Sequence, residues 1–237
     1  MKNWILGIDT SSIELGIGLL LDNAPVASFS RYLRNSHAEH ITEGIHFILN
    51  NNKISPADIP AAAVTVGPGS FTGLRIGISF IKGLFLSRPI DIYPISSLEA
   101  VAMGWYARSA TITVALDARN NRVFAARFSK KNNLLQRISE DTLMEAEDFH
   151  SLIEQKDVVL TDTLGYARSS VFAFLRDHDR HFALEAYPIQ RGMAAARCAL
   201  QAQQREAAPV DLQQLLPRYL QQSAAELRRA PQTKNQV

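Results

Sequence analysis

Twice along this chain, three short apolar runs joined by tight turns give way to alternating helix and strand, and that repeated order limits the fold more than any other feature. In the first half, residues 4–8, 15–21 and 25–33 carry the apolar pattern of strands, with Asp22-Asn23 as the last turn. Ser36-His37-Ala38-Glu39 then matches a capping box, in which hydroxyl and carboxylate satisfy free backbone N–H groups reciprocally. The helix it opens has an apolar face of Ile41, Ile45, Ile48 and Leu49. A strand at 61–66, a glycine-rich loop, a helix over about 72–86, a strand at 90–94 and a helix over about 98–107 complete this half. From Thr111 the order restarts, with strands at 111–116, 122–128 and 134–139. A helix over about 145–155, a strand at 158–161, a helix around 168–177, a strand at 182–187 and a helix over about 192–205 follow. Asp9 and Asp117 hold the same place, at the first turn of each half.

Two β-β-β-α-β-α-β halves, each with an acid at its first turn, predict an α/β protein on the actin-like ATPase plan, the sugar kinase and ribonuclease H-like architecture. The lobes are expected at 1–108 and 109–237, the second smaller and degenerate. Beyond about Arg228 its tail is rich in Gln, Lys and Pro and is a candidate for disorder. A doubly wound dinucleotide fold requires a glycine fingerprint right after the first strand. That position reads Asp9-Thr10-Ser11-Ser12, so the actin-like plan is preferred.

Charge argues against a broad nucleic-acid face. The net charge is +2, and residues 1–204 hold 20 basic and 20 acidic side chains, so the excess sits in the tail. A neutral body lacks the positive surface that phosphate-backbone binding needs. The apolar run at 15–21 is far short of the roughly 20 residues that span a bilayer. An acid at position 9 precedes any signal-peptide core, and a cytoplasmic location is expected. The single cysteine, Cys198, lies in an Ala-rich helical run, where a buried, inert thiol is expected.

The segment Gly67-Pro68-Gly69-Ser70-Phe71-Thr72-Gly73-Leu74-Arg75-Ile76-Gly77 follows a strand and opens a helix. Its N–H groups are suited to an anion-binding nest, or the segment is a tight turn with Ser70 or Thr72 as N-cap. It is not a P-loop, because no Lys-Ser/Thr pair follows the last glycine. This segment closely resembles the TsaB (YeaZ) family, which assists threonylcarbamoyladenosine formation in bacterial tRNA. The similarity extends to Leu6-Gly7-Ile8-Asp9-Thr10-Ser11, to Ser36-His37-x-Glu39, to Pro94-Ile95-Ser96-Ser97-Leu98-Glu99 and to Ala115-Leu116-Asp117-Ala118-Arg119. Pro217-Arg218-Tyr219-Leu220 is similar to the family's C-terminal P-x-Y-L-R, with Gln221 in place of the arginine.

The resemblance implies a non-catalytic paralogue of the TsaD-like transferase that pairs with TsaD through the first two helices, with a TsaE-like ATPase in the same assembly. Contact with tRNA would be indirect, and a homodimer is expected in isolation. The TsaD-like metal motif H-H-x-E-G-H falls on Ser96-Ser97-Leu98-Glu99-Ala100-Val101, so Ser97 and Val101 stand at the ligand positions. Valine donates nothing to a metal, and neither metal site nor catalytic residue is expected. His37 and His40 lie one helical turn apart but lack a third ligand, and read as surface or interface residues.

Asp9, Thr10, Ser11 and Asp117 are the candidate nucleotide contacts, with weak ATP or ADP binding at most and no resident cofactor. The expected partner interface comprises Ile41, Ile45, Ile48, Leu49, Gly73, Gly77, Ile78 and Ile81. Gly73/Gly77 and Ser79/Gly83 put small residues on two faces of the second helix, a spacing that admits a close helix partner. Both faces covered within the lobe is the competing reading. On the interface reading, Gly77→Arg or Ile45→Asp breaks association and leaves the fold intact. Two other functions compete: a stand-alone nucleotide-dependent enzyme such as a small-molecule kinase or ATPase, and a glycoprotease-type metallopeptidase.

Overall fold

A computed structural model describes residues 2–33, 37–105, 111–132, 134–154, 158–161 and 190–221. The first half folds as β1 (Trp4–Asp9), β2 (Glu14–Leu21), β3 (Ala24–Tyr32), α1 (His37–Asn52), β4 (Ala61–Gly67), α2 (Phe71–Leu84), β5 (Asp91–Ser96) and α3 (Ser97–Trp105). The second supplies β6 (Thr111–Arg119), β7 (Arg122–Lys131), β8 (Leu134–Arg137), β9 (Thr142–Glu145), β10 (Val158–Thr161) and α4 (Arg191–Gln204). The elements expected around 168–177 and 182–187, the tail beyond Arg228 and Ser36 of the capping box lie outside the described residues.

The two sheets repeat one topology. The first has the order β3-β2-β1-β4-β5, with β1 antiparallel to β2 and parallel to β4. In the second, β6 is likewise antiparallel to β7 and parallel to β10. Strands β8 and β9 pair with successive stretches of β7, filling the place that β3 holds beside β2. The helix expected over about 145–155 is therefore corrected. Residues Thr142–Glu145 form a strand, and Asp148–Leu152 makes only a 3-10 turn that seats Phe149 under the second sheet. The apolar spacing of Phe149 and Ile153 is satisfied by a short plug as well as by a helix, which periodicity alone does not separate.

Helices α3 and α4 lie between the sheets. One apolar cluster joins Ile5, Ala63 and Ile95 of the first sheet, Leu98 and Val101 of α3, Ala195 and Ala199 of α4, and Val114, Phe124 and Phe128 of the second. Helix α4 follows the second sheet in sequence yet packs directly on β1 and β2. Its alanines and Gly192 let the backbones close: a methyl at Gly192 would collide with Ile17, and one at Gly18 with the main chain of Met193. On the other side of the first sheet, α1 and α2 cover a second cluster that includes Leu6, Ile8, Ile17, Val64 and Phe85. Layered α/β/α/β packing around two related sheets is the actin-like ATPase fold.

Candidate functional site

The candidate nucleotide contacts expected from the sequence begin in the turn after β1. Asp9 ends the strand fully buried, and its Oδ1 accepts from the Ser11 N–H at 2.7 Å, the Ser11 hydroxyl at 2.7 Å and the Thr65 hydroxyl at 3.1 Å. Its Oδ2 is buried without a hydrogen-bond partner among the described residues. Thr10 Oγ1 donates to the Gly73 carbonyl at 2.8 Å, and the Ser70 N–H donates to the Ser11 carbonyl at 2.7 Å. Asp117, the matching acid, is half-buried; its Oδ1 accepts from the Arg119 N–H at 2.7 Å, within its own hairpin. The structure therefore joins Asp9, Thr10 and Ser11 in one network and keeps Asp117 in another.

The glycine-rich loop is a capped turn. Ser70 is the N-cap of α2, its hydroxyl accepting from the Gly73 N–H at 3.2 Å while its carbonyl takes the Leu74 N–H. Those two groups and the Ser70 N–H are thus already spent. Gly67, with φ +124°, faces the carbonyl of Arg218, whose N–H donates to Val66 at 2.7 Å. The C-terminal motif crosses the loop: Tyr219 stacks on Phe71 with ring centroids 4.4 Å apart. Arg75 places its guanidinium 3.9 Å from the Phe71 centroid and donates from Nε to the Tyr219 hydroxyl at 2.9 Å. Gln221, the departure from the family motif, accepts from Arg122 Nη2 at 3.4 Å. Two motifs 144 residues apart are thus halves of one contact.

The expected interface residues need correction. Ile41, Ile45, Ile48, Leu49, Ile78 and Ile81 are each 5% exposed or less and belong to the first lobe's own core. Gly73 and Gly77 are buried too, and a methyl on either would strike Thr10. Their small size serves the β1–β2 turn. The other small-residue pair, Ser79 and Gly83, faces outward, and nothing among the described residues lies within 4 Å of a methyl placed on Gly83. Beside it run the half-buried Ile76 and Phe80, and on α1 the 53%-exposed Phe47, its ring centroid 6.2 Å from that of Phe29. The first two helices do carry apolar outward residues, shifted round from those the sequence suggested.

Of the histidines, His37 is buried, a correction to its surface reading, and its Nε2 donates to the Ser12 carbonyl at 2.7 Å. His40 lies 3.0 Å from Glu43 at the surface, beside Arg31. Among the described residues no group of three or more His, Cys, Asp or Glu is arranged to hold a metal. Ser97 and Val101 are fully buried in the inter-sheet core. Cys198 is buried there as well, and burial pushes its thiol well up.

Two ionic groups escaped sequence reasoning. Glu14, at the start of β2, is 4% exposed and accepts from the Ser30 hydroxyl, with Arg191 Nε 4.0 Å from its carboxylate. Burial pushes its carboxyl up, while Ser30 and Arg191 oppose the shift. A lone acid among Leu15, Ile17 and Leu19 was the signal for it. Between the lobes, Arg137 bridges Asp141 at 2.5 Å and Glu99 at 3.5 Å, and burial raises Glu99 against the pull of Arg137. Nothing local in the sequence pairs α3 with β8.

A chain with this fold, a buried first-turn acid and a strap over a capped glycine loop falls within a known class. Residues 31–228 match the family model for TsaD, tRNA N6-adenosine threonylcarbamoyltransferase. The "tRNA threonylcarbamoyladenosine biosynthesis protein TsaB" of Bacillus subtilis is 31% identical over 222 residues, covering 94% of this chain and 96% of that one. The Escherichia coli protein of the same name is 33% identical over 154 residues, 64% of this chain and 66% of its own. YeaZ from Pseudomonas aeruginosa superposes with a TM-score of 0.76 at 20% identity, covering 92% of this chain and all of that one. The chain belongs to the TsaB (YeaZ) family.

Proposed function

We propose that this chain is a non-catalytic partner subunit that binds and supports a TsaD-like transferase forming threonylcarbamoyladenosine in tRNA. The observation that carries the reading is the outward stripe of α2, Ile76, Ser79, Phe80 and Gly83, at i, i+3, i+4 and i+7. A glycine inside a helix costs roughly 0.5–1 kcal/mol relative to alanine. At Gly83, in the last turn of α2, the packing of the described residues gives no reason for a glycine, whereas a closely approaching partner helix does. Burial of Ser97 and Val101, where the transferase's metal ligands would stand, supports the absence of catalysis here. The TsaE-like ATPase joins the same assembly, tRNA is reached through the partner, and the same stripe supports a homodimer in isolation. No described helix is long and apolar enough to cross a membrane, and the proposed work lies in the cytoplasm.

Depleting the protein should lower the modified nucleoside measured by mass spectrometry, and unchanged levels would remove the idea. Gly83→Arg should abolish co-purification with the transferase subunit without lowering the melting temperature. Retained co-purification would count against the stripe.

A second reading, weak ATP or ADP binding, is favoured by the unpartnered Oδ2 of Asp9. The hydroxyls of Thr10 and Ser11 are already bonded within the fold, which keeps such binding weak. Calorimetric titration of ADP into wild type and Asp9→Asn tests it, with no heat in either discarding it.

A further inference from the structure

Helices α1 and α2 touch each other only lightly, yet each is tied at its start to one short turn. His37, the first residue of α1, donates to the carbonyl of Ser12. In the first turn of α2, Gly73 accepts from Thr10, and the Ser70 N-cap donates to Ser11. Behind these bonds, Ser11 is clamped by Asp9 and the Ser12 hydroxyl accepts from the Glu14 N–H at 3.1 Å. The turn is thus rigid, and its groups reach both helices.

We propose that residues 10–12 form the spacer that sets α1 against α2, with Thr10 and His37 as positioning residues for the partner-binding surface that the α2 stripe and the exposed Phe47 of α1 make together. This rests on the function proposed above and names what holds its surface in shape. The mechanism is leverage. Helix α1 has 16 residues and so is about 24 Å long. A tilt of about 5° at His37 therefore moves its far end by about 2 Å, enough to spoil a close helix–helix fit. A carbonyl only accepts, so the bond needs an N–H at His37 Nε2. A glutamine amide can supply one at similar reach; a leucine supplies none, and an asparagine falls short.

The test compares His37→Gln, His37→Asn, His37→Leu, Thr10→Ser and Thr10→Val in the full chain. Affinity for the purified TsaD-like subunit is read by calorimetry and folding by circular dichroism. His37→Leu and Thr10→Val should each weaken binding about tenfold or more, with His37→Gln and Thr10→Ser within about threefold of wild type. Spin labels on Asn50→Cys and Ser79→Cys should report a shift of about 2 Å in His37→Leu, by the same lever arm. Unchanged affinity in folded His37→Leu and Thr10→Val would overturn the proposal, as would equal loss in the conservative pair. If the leucine variant does not fold, His37→Gln against His37→Asn decides, since equal affinities then overturn it. If the wild-type chain itself does not bind, the partner reading falls, and Gly83→Arg separates the lower levels: if it binds normally, the α2 stripe is not the contact surface. If it alone loses binding, only the spacer falls.

Discussion

The two first-turn acids occupy equivalent places in equivalent sheets, and they have diverged in what surrounds them. Asp9 is buried, holds Ser11 and Thr65, and sits behind a turn bonded to both outer helices. Asp117 is half-buried and bonds one N–H two residues on, in a hairpin whose Arg119, Asn120 and Asn121 all have positive φ. The first lobe carries two full helices on its outer face; the second, among the described residues, carries a 3-10 turn. Topology was duplicated, but only one copy had its acid built into a packed network.

The comparison can be attacked where it predicts the greatest asymmetry. Ile45→Asp buries an unpaired carboxylate in the first lobe, and Gly77→Arg drives a long side chain into Thr10. Each should cost about 4 kcal/mol or more, seen as loss of cooperative unfolding in urea, in contrast to the surface variant Gly83→Arg. Asp9→Ala strands two buried hydroxyl donors and should cost about 2–3 kcal/mol. Asp117→Ala should cost about 0.5–1 kcal/mol, and equal costs for the two acids would erase the distinction.

Acid–base behaviour sharpens the contrast between the lobe and its seam. Glu14 and Glu99 are both held above their ordinary 4.5 by burial, so the folded state keeps protons that the unfolded chain releases. Their contribution to stability is complete below 4.5 and is lost as pH climbs through the folded-state values. Melting temperature against pH should fall less steeply above 4.5 in Glu14→Gln and Glu99→Gln than in wild type. The smallest effect belongs to the second hairpin. Arg119→Gly, at φ +64°, should raise stability by about 0.5 kcal/mol, roughly 1–2 °C in melting temperature.

Much of this was legible in the sequence because it is local. Strand pattern, the capped loop, the hairpin turns and the boundaries of α4 follow from residues close together in the chain. The direction of α1 and α2 was not legible: Ile41, Ile45 and Ile48 show an apolar face but not what covers it. The interior claims both that face and the Gly73/Gly77 face, through Thr10, more than 60 positions away. Tyr219 on Phe71 and Arg137 on Glu99 escaped for the same reason, each joining segments with no local sign of one another.

The place of α4 also orders events at the ribosome. Strands β1 and β2 emerge first, yet the helix that seals their inner face begins only at Arg191. At about 5–20 residues per second, that leaves the nascent sheet waiting on the order of 10–40 s with its oily side bare. Final closure of the N-terminal half must then wait until the second half has been made, and until that moment the half-made chain is a natural client for a chaperone.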